Sequence, residues 1–433
     1  MSGGPRIGAP TPFKRFAEPV LGKMLQPAQA SPDEVLAPYL KAGHVTWGGL
    51  SCLEELPEMW AKPDDIVCLH PVPGDLLVCE GGEVGRATVV EAALPERTII
   101  QNSLHLVHSG KTADPRYLKY ALEHVAGSGW LDIVCNKATI AHLTVDKFRE
   151  LLIPYQVRTD QARIANFLDA QTARIDALIA EKERLLERLA ELRYSTISWA
   201  VTGGMHQSKG TRKTGNAFVP ELPADWNFGG LTKYIGPVID YRGRTPEKVP
   251  EGVLLVTARN IRDGGLDYET SAEFVRPEEY EDIMRRGKPR IGDVLFTMEA
   301  PLGQVANVDR EDIALAQRIV KFRGIQNILD NYFLKYWLMG DIAQATLSTL
   351  ATGSTAEGLK ASKLGRIPLA VPSQNEQAEI VSFLDERRSA INVAVGHVNE
   401  HIARLREYRS SLISAAVTGQ IDLGSFKLEA VGG

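Results

Sequence analysis

The 433-residue sequence holds only four cysteines, Cys52, Cys68, Cys79 and Cys135, and no CxxC pair. This excludes a zinc ribbon and a disulfide framework, and a reducing cytosol is the expected compartment. Long apolar runs are also missing. No stretch approaches 18 apolar residues, and the opening thirty carry Arg6, Lys14, Arg15, Glu18 and Lys23 with no apolar core between them. Neither a signal peptide nor a membrane span is expected. Nor is there a surplus of positive charge: 49 basic side chains face 54 acidic ones, for a net charge of −5 and a pI near 6.1. Any contact with nucleic acid must therefore come from local patches rather than bulk charge. What remains is globular composition, 44% hydrophobic and 24% charged, in a chain long enough for two or three domains.

Signatures of catalysis are missing too. There is no HExxH, no GxSxG, no Asp/Glu-x-Lys triplet of a metal-dependent nuclease and no Asn/Asp-Pro-Pro-Tyr/Phe tetrapeptide of an amino-methyltransferase. Gly353 to Lys360 comes near a phosphate loop but lacks the lysine directly after the second glycine, and Gly81 to Arg86 reads as a turn. His397 and His401 are spaced for a metal on a helix, but the corresponding earlier positions are Glu181 and Leu185. His105 and His108 have no Cys or Asp at ligand spacing. No catalytic residue and no metal site are expected.

What is present is a repeat. Residues 161–203 and 377–419 align without a gap at an offset of 216, half the chain, with 18 of 43 positions identical. The shared residues include QA-I--FLD at the start and AVTG at the end. Weaker matches lie ahead of each copy. Residues 38–45 fall over 254–261, Gly74-Asp75-Leu76-Leu77 over Gly292-Asp293-Val294-Leu295, Gln101 over Gln317, and Leu118-Lys119-Tyr120 over Leu334-Lys335-Tyr336. The chain therefore reads as a variable domain followed by a long helix, twice over.

Each strong copy has heptad periodicity. In the first, Leu168, Ile175, Leu189 and Thr196 take one seam position and Ile164, Leu178, Leu185, Leu192 and Trp199 the other, with Lys182 and Gln171 intruding. The second keeps Ile380, Leu384, Ile391, Val398, Leu405, Tyr408 and Leu412 but puts Arg387 and His401 in the seam. Neither is clean enough for a free parallel homodimer, so the two helices are expected to pair with each other. Residues 203–216, with three bases and no acid, read as an exposed linker. The variable segments mix short β-rich runs, turns and one or two helices (Arg116 to Val125, Tyr332 to Met339), which predicts α/β or α+β domains. Basic features include Tyr241 to Lys248, which reads equally as a solvated turn or as a segment offering guanidinium groups to phosphate or guanine. In the cluster Arg285, Arg286, Lys288 and Arg290, the preceding Glu278, Glu279, Glu281 and Asp282 are expected to pair with the cations. Arg259-Asn260 and Gly43-His44 follow candidate strands in the two halves, where a base-reading side chain could sit on a rigid edge.

The paired Pro, Asp160-Gln161 or Glu376-Gln377, I--FLD, long heptad helix and AVTG resemble the specificity subunit of type I restriction-modification systems, HsdS, over nearly the whole chain. Local departures are Asp160 in place of Glu, Gly396 within the second helix and the lack of a clear first strand. The resemblance implies a first target recognition domain (1–152), a first helical repeat acting as spacer (153–203), a linker (204–225), a second recognition domain (226–370), a second helical repeat (371–422) and a tail (423–433). The fold class is then α/β (α+β), with two long antiparallel coiled-coil helices and an internal pseudo-two-fold repeat.

In this reading the chain is a cytoplasmic, non-catalytic subunit. It binds an asymmetric, bipartite site on double-stranded DNA and recruits two methyltransferase subunits, which a restriction subunit can join. It needs no cofactor itself; the partners use S-adenosylmethionine, and ATP with Mg for restriction. A 39-residue helix of about 58 Å is long enough to bridge half-sites about 34 Å apart. Lys23, His44 and Lys137 in the first domain, and Arg242, Arg244, Lys248, Asn260 and Lys360 in the second, are expected near DNA. Phe167, Leu168, Ile175, Leu178, Leu189, Leu192, Phe383, Leu384, Ile391, Leu405 and Tyr408 are expected in helix packing or at a partner surface. The alternative is a non-enzymatic scaffold tethering two protein-binding modules on the same helices.

Overall fold

The computed structural model describes residues 8–108, 113–135, 141–205, 210–241, 246–351, 358–421 and 423. The chain forms two compact units, residues 1–182 with 400–433, and residues 183–399.

In the first unit, β1 (Pro19–Leu21) is followed by β2 (Val35–Leu40), β3 (Glu58–Ala61), β4 (Leu76–Cys79), β5 (Ala87–Val89), β6 (Ile99–Ile100), β7 (Leu104–Val107) and helix α1 (Pro115–Gly127). The four-stranded antiparallel sheet runs β1-β7-β4-β5, and the smaller sheet β3-β2-β6. In the latter β2 is antiparallel to β3 and parallel to β6. β4 and β7 bury all four of their residues, because both faces of the sheet are covered; such strands read as apolar runs rather than alternations. Gly81 to Arg86 forms the β4-β5 turn, with the Gly85 amide donating to Cys79 O at 2.9 Å. A strand at Gly8–Pro12 pairs with Leu152–Tyr155. This corrects the expectation that the opening residues lack one; its prolines and short length concealed it.

The long helix α2 (Arg158–Val201) contributes residues 158–182 to the first unit and 183–201 to the second. The second unit then repeats the plan. Its strands are β8 (Ile239–Asp240), β9 (Val253–Val256), β10 (Phe274–Val275), β11 (Val294–Thr297), β12 (Val305–Asn307), β13 (Ile313–Leu315) and β14 (Ile319–Phe322), followed by α3 (Asn331–Met339). The sheets run β8-β14-β11-β12 and β10-β9-β13, with β9 parallel to β13. The last helix, α4 (Gln374–Val417), gives residues 374–399 to this unit and 400–417 to the first. The α+β class expected from the sequence is the one found.

Two details differ from expectation. The stretch 204–225, read as a linker, contains an antiparallel hairpin of Thr211–Lys213 with Glu221–Pro223, and Val219 and Leu222 are buried in the core of the second unit. The strand register also aligns Gln101 with Ala316 rather than Gln317: the Gln101 amide donates to Leu40 O and the Ala316 amide to Val256 O, at 2.8 and 2.9 Å. The preceding connections differ in length by a residue, which an ungapped match cannot show.

Each core contains both long helices. In the first unit Ile164, Leu168 and Ile175 of α2 pack with Leu412, Ile413, Ala416 and Val417 of α4. In the second, Ile197, Ala200 and Val201 join Ile380 and Leu384. Early α2 thus meets late α4, and late α2 meets early α4: the helices run antiparallel within each unit.

Candidate nucleic-acid interface and helical surface

The repeated motif residues turn out to be fasteners between the α+β part of each unit and its long helix. Gln161 Oε1 accepts from the Asp114 amide at 2.9 Å and its Nε2 donates to Gln156 O at 2.8 Å. Gln377, 216 positions on, accepts from the Asp330 amide at 2.6 Å and donates to Pro372 O and Ile328 O at 2.9 and 2.8 Å. Asp114 and Asp330 are themselves the N-caps of α1 and α3, so each glutamine supplies hydrogen bonds where buried backbone groups would otherwise lack them. The aspartate of FLD plays a second part. Asp169 accepts from Tyr120 Oη and Arg116 Nη1, both at 2.8 Å, and Asp385 accepts from Tyr336 Oη. AVTG ends each helix with a left-handed glycine, Gly203 at φ 92° and Gly419 at φ 74°, a conformation that favours glycine after a helix.

The antiparallel pairing has its own repeated contact. Arg409 bonds Asp176 at 2.9 Å and also pairs with Glu123. Arg193, its counterpart at 216, bonds Asn392 at 2.8 Å and Asp263 at 3.2 Å. Asn392 is in turn the counterpart of Asp176. Neither arginine was singled out in the sequence; the signal was their shared offset.

The helix residues expected to pack or to meet partners divide by burial. Leu168, Ile175, Leu384 and Ile391 are buried, Phe167, Leu189, Phe383 and Leu405 half-buried, and Leu178, Leu192 and Tyr408 exposed. Leu185 and Trp199 are exposed as well. In the second unit an open groove of about 600 Å³ runs between the helices, lined by Leu189, Leu192, Trp199, Phe383, Ile391 and Ala394 among others, and its walls are mainly apolar. His401, expected in the seam, is exposed, as is Arg387, which lies over the Phe383 ring at 5.3 Å. Among the described residues no three His, Cys, Asp or Glu side chains are grouped to hold a metal ion.

The residues expected near DNA have varied surroundings. Lys137, Arg242 and Arg244 lie outside the described residues. Lys23 is half-buried and paired with Asp65 at 2.9 Å. His44 is buried, and its Nδ1 accepts from the Lys41 amide at 3.1 Å; burial lowers its pKa from the ordinary histidine value. Asn260 closes the equivalent turn. Its Oδ1 accepts from the Thr257 amide at 2.8 Å, and its Nδ2 donates to Asp267 O and Ser271 O at 2.9 Å each. His44 and Asn260 are therefore mounts within the scaffold. Arg259, the neighbour of Asn260, carries the exposed head. Lys360 is exposed, at the start of a turn spanning Ala361–Arg366. In the basic cluster, Arg285 pairs with Asp282 and Lys288 with Glu281, as the preceding acids led us to expect.

Lys248 belongs to a charged pocket of about 360 Å³ in the second unit, which Arg259, Glu273, Gln317 and Arg318 also line. Glu273 is 15% exposed and ion-paired with both Lys248, at 2.8 Å, and Arg259. Burial works to raise its carboxyl, but the hydrogen bond and charge of Lys248 and the charge of Arg259 outweigh this and hold it below the ordinary carboxylate value. Arg318 approaches Glu299 at 3.5 Å. The three cations remain about half exposed or more.

A duplicated α+β unit with long helices that belong to both copies defines a class, and comparisons with known proteins agree on it. A family model described as the type I restriction modification DNA specificity domain matches residues 271–394. The specificity subunit of the type I restriction enzyme EcoBI from Escherichia coli is 25% identical over 297 residues, 66% of this chain and 62% of that protein. The MjaVIII specificity subunit from Methanocaldococcus jannaschii is 22% identical over 80% of this chain and 78% of its own length. A solved structure from a study of assembly and conformational transition of the type I R-M system superposes with a TM-score of 0.65 at 14% identity, over 97% of this chain and 100% of that one, which shows a shared fold. The chain is thus similar to specificity subunits of type I restriction-modification systems in sequence, and shares its fold with a solved type I R-M structure. It spans about three fifths of the EcoBI subunit that it matches.

Proposed function

We propose that the chain is the DNA-reading, non-catalytic subunit of a type I methyltransferase and restriction complex. In this role each recognition domain takes one half of a bipartite sequence. The observation that carries the reading is the combination of a common scaffold with different side chains on it: the two units share strand order, turn mounts and helix fasteners, while the exposed groups beside those mounts differ. Two unlike readers imply an asymmetric site. The exposed Leu178, Leu192 and Tyr408 and the apolar groove support a role for the helices in recruiting two methyltransferase subunits, to which a restriction subunit adds. S-adenosylmethionine, and ATP with Mg, would belong to those partners, and this chain needs no cofactor. No described helix is long and apolar enough to cross a membrane, and the proposed place of action is the cytoplasm.

Selection from randomised duplex DNA, with the chain alone and with its methyltransferase partner, tests the proposal. The expected product is a split, asymmetric sequence bound with an affinity that falls steeply with salt. Binding without sequence preference, or no binding in either form, would instead favour a protein scaffold.

A further inference from the structure

The charged pocket of the second unit is added to a scaffold that does not require it. The Leu255 amide donates to Glu273 O at 2.7 Å, and in the first unit the Tyr39 amide donates to Pro57 O at 2.8 Å, so the strand register makes Pro57 the counterpart of Glu273. The turns at Ala42–His44 and Ala258–Asn260 likewise make Gly43 the counterpart of Arg259. A Cβ on Gly43 would meet nothing within 4 Å. The first unit thus builds the same strands and turn with neither the arginine nor the carboxylate. Whatever the ion pair does, the fold stands without it.

The pair is also built to present rather than to bury. Arg259 is 61% exposed, yet its neighbour Asn260 is wholly buried and hydrogen-bonded on both sides of its amide. One amino group of Arg259, Nη2, is engaged by Glu273 Oε1. The guanidinium still has donors for two parallel hydrogen bonds, the pattern that matches O6 and N7 on the major-groove edge of guanine. Lys248 and Arg318, on the same pocket, supply the positive field that holds phosphates nearby.

We propose that Arg259 reads a guanine in the half-site of the second recognition domain, with Glu273 as the positioning residue that fixes the guanidinium. This inference rests on the reading of the chain as a DNA specificity subunit. The test uses the full chain with its methyltransferase partner and compares base preference at every position of the selected sequence for Arg259→Ala, Arg259→Lys and Glu273→Gln. The expected result for Arg259→Ala is a loss of about 10- to 100-fold in preference for guanine at one position of one half-site, with the other half-site unchanged. Arg259→Lys keeps the charge but not the fork, so it loses most of the preference too. Glu273→Gln loses part of it while the melting temperature and the salt dependence stay as in the parent. A uniform loss across all sequences, with a salt slope lower by about one, would make Arg259 a phosphate contact and overturn the proposal, as would unchanged preferences. If the parent protein itself selects no sequence, the underlying reading fails and takes this one with it; if the parent selects and only the variants fail to differ, this one alone falls.

Discussion

Gln377 has no exposed surface and three hydrogen bonds to backbone groups, the one to Pro372 O fully buried and those to the Asp330 amide and Ile328 O partly so, so Gln377→Leu leaves one amide and two carbonyls without these partners. Unsatisfied buried groups cost about 1 to 3 kcal/mol each, and a loss of about 3 kcal/mol is expected in urea denaturation. Lys335 offers a second test at this scale. It is 3% exposed, lies 4.1 Å from the Tyr336 ring centre and 3.9 Å from Asp385. Burial, helped by the charge of Arg388, lowers its pKa to about 8. Between pH 8 and 10 the unfolded chain then binds more protons at this site than the folded one, so stability attributable to Lys335 rises with pH across that window. Thermal melts should show the parent gaining on Lys335→Met from pH 8 to 10; a constant difference would contradict the assignment. The roles of Gln161, Gln377, Asp169 and Asp385 were visible in the sequence as repeated letters, though not what they hold. Asn260 and Arg259 show the limit more sharply: both follow a strand, but which side chain turns inward depends on Asp267 and Ser271 supplying carbonyls, and no spacing rule encodes that.

Among the elements, the two long helices and the shorter helices α1 and α3 were legible because heptad and helical periodicities persist over several turns. The seam showed which residues share a stripe. It could not show that Leu178, Leu185 and Leu192 stay exposed while Leu168 and Ile175 do not, because burial depends on where the α+β part of each unit ends against the helix. Short strands and hairpins, such as Gly8–Pro12 and the pair at 211–223, have too few residues for a period. The stripe gives a separable prediction: Leu178→Ser with Leu192→Ser should alter stability by only about 0.5 kcal/mol, as exposed substitutions do, yet reduce copurification with the methyltransferase subunit. A drop of several kcal/mol would make these residues packing instead. The repeated arginines give another. Arg409 joins two carboxylates, and Glu123 is only 16% exposed, whereas Arg193 meets an amide and the exposed Asp263. Arg409→Ala should cost about 2 kcal/mol by leaving Glu123 without its ion pair, and Arg193→Ala distinctly less, measured by denaturation of the full chain.

At the scale of the whole molecule, the duplication explains why one chain can hold two related units with different surfaces. The strands and fasteners recur at offsets close to 216, while Arg259 and Glu273 face Gly43 and Pro57 at the corresponding positions. Duplicated scaffold with diverged decoration predicts a target whose halves differ. The most direct measurement is to co-express this chain with a type I methyltransferase subunit from the same genome in a host free of DNA methylation and map methylated adenines by single-molecule sequencing. One split, asymmetric motif that vanishes when this chain is omitted is the expected result. Methylation that persists without the chain, or a complex that assembles yet methylates no defined sequence, would contradict it.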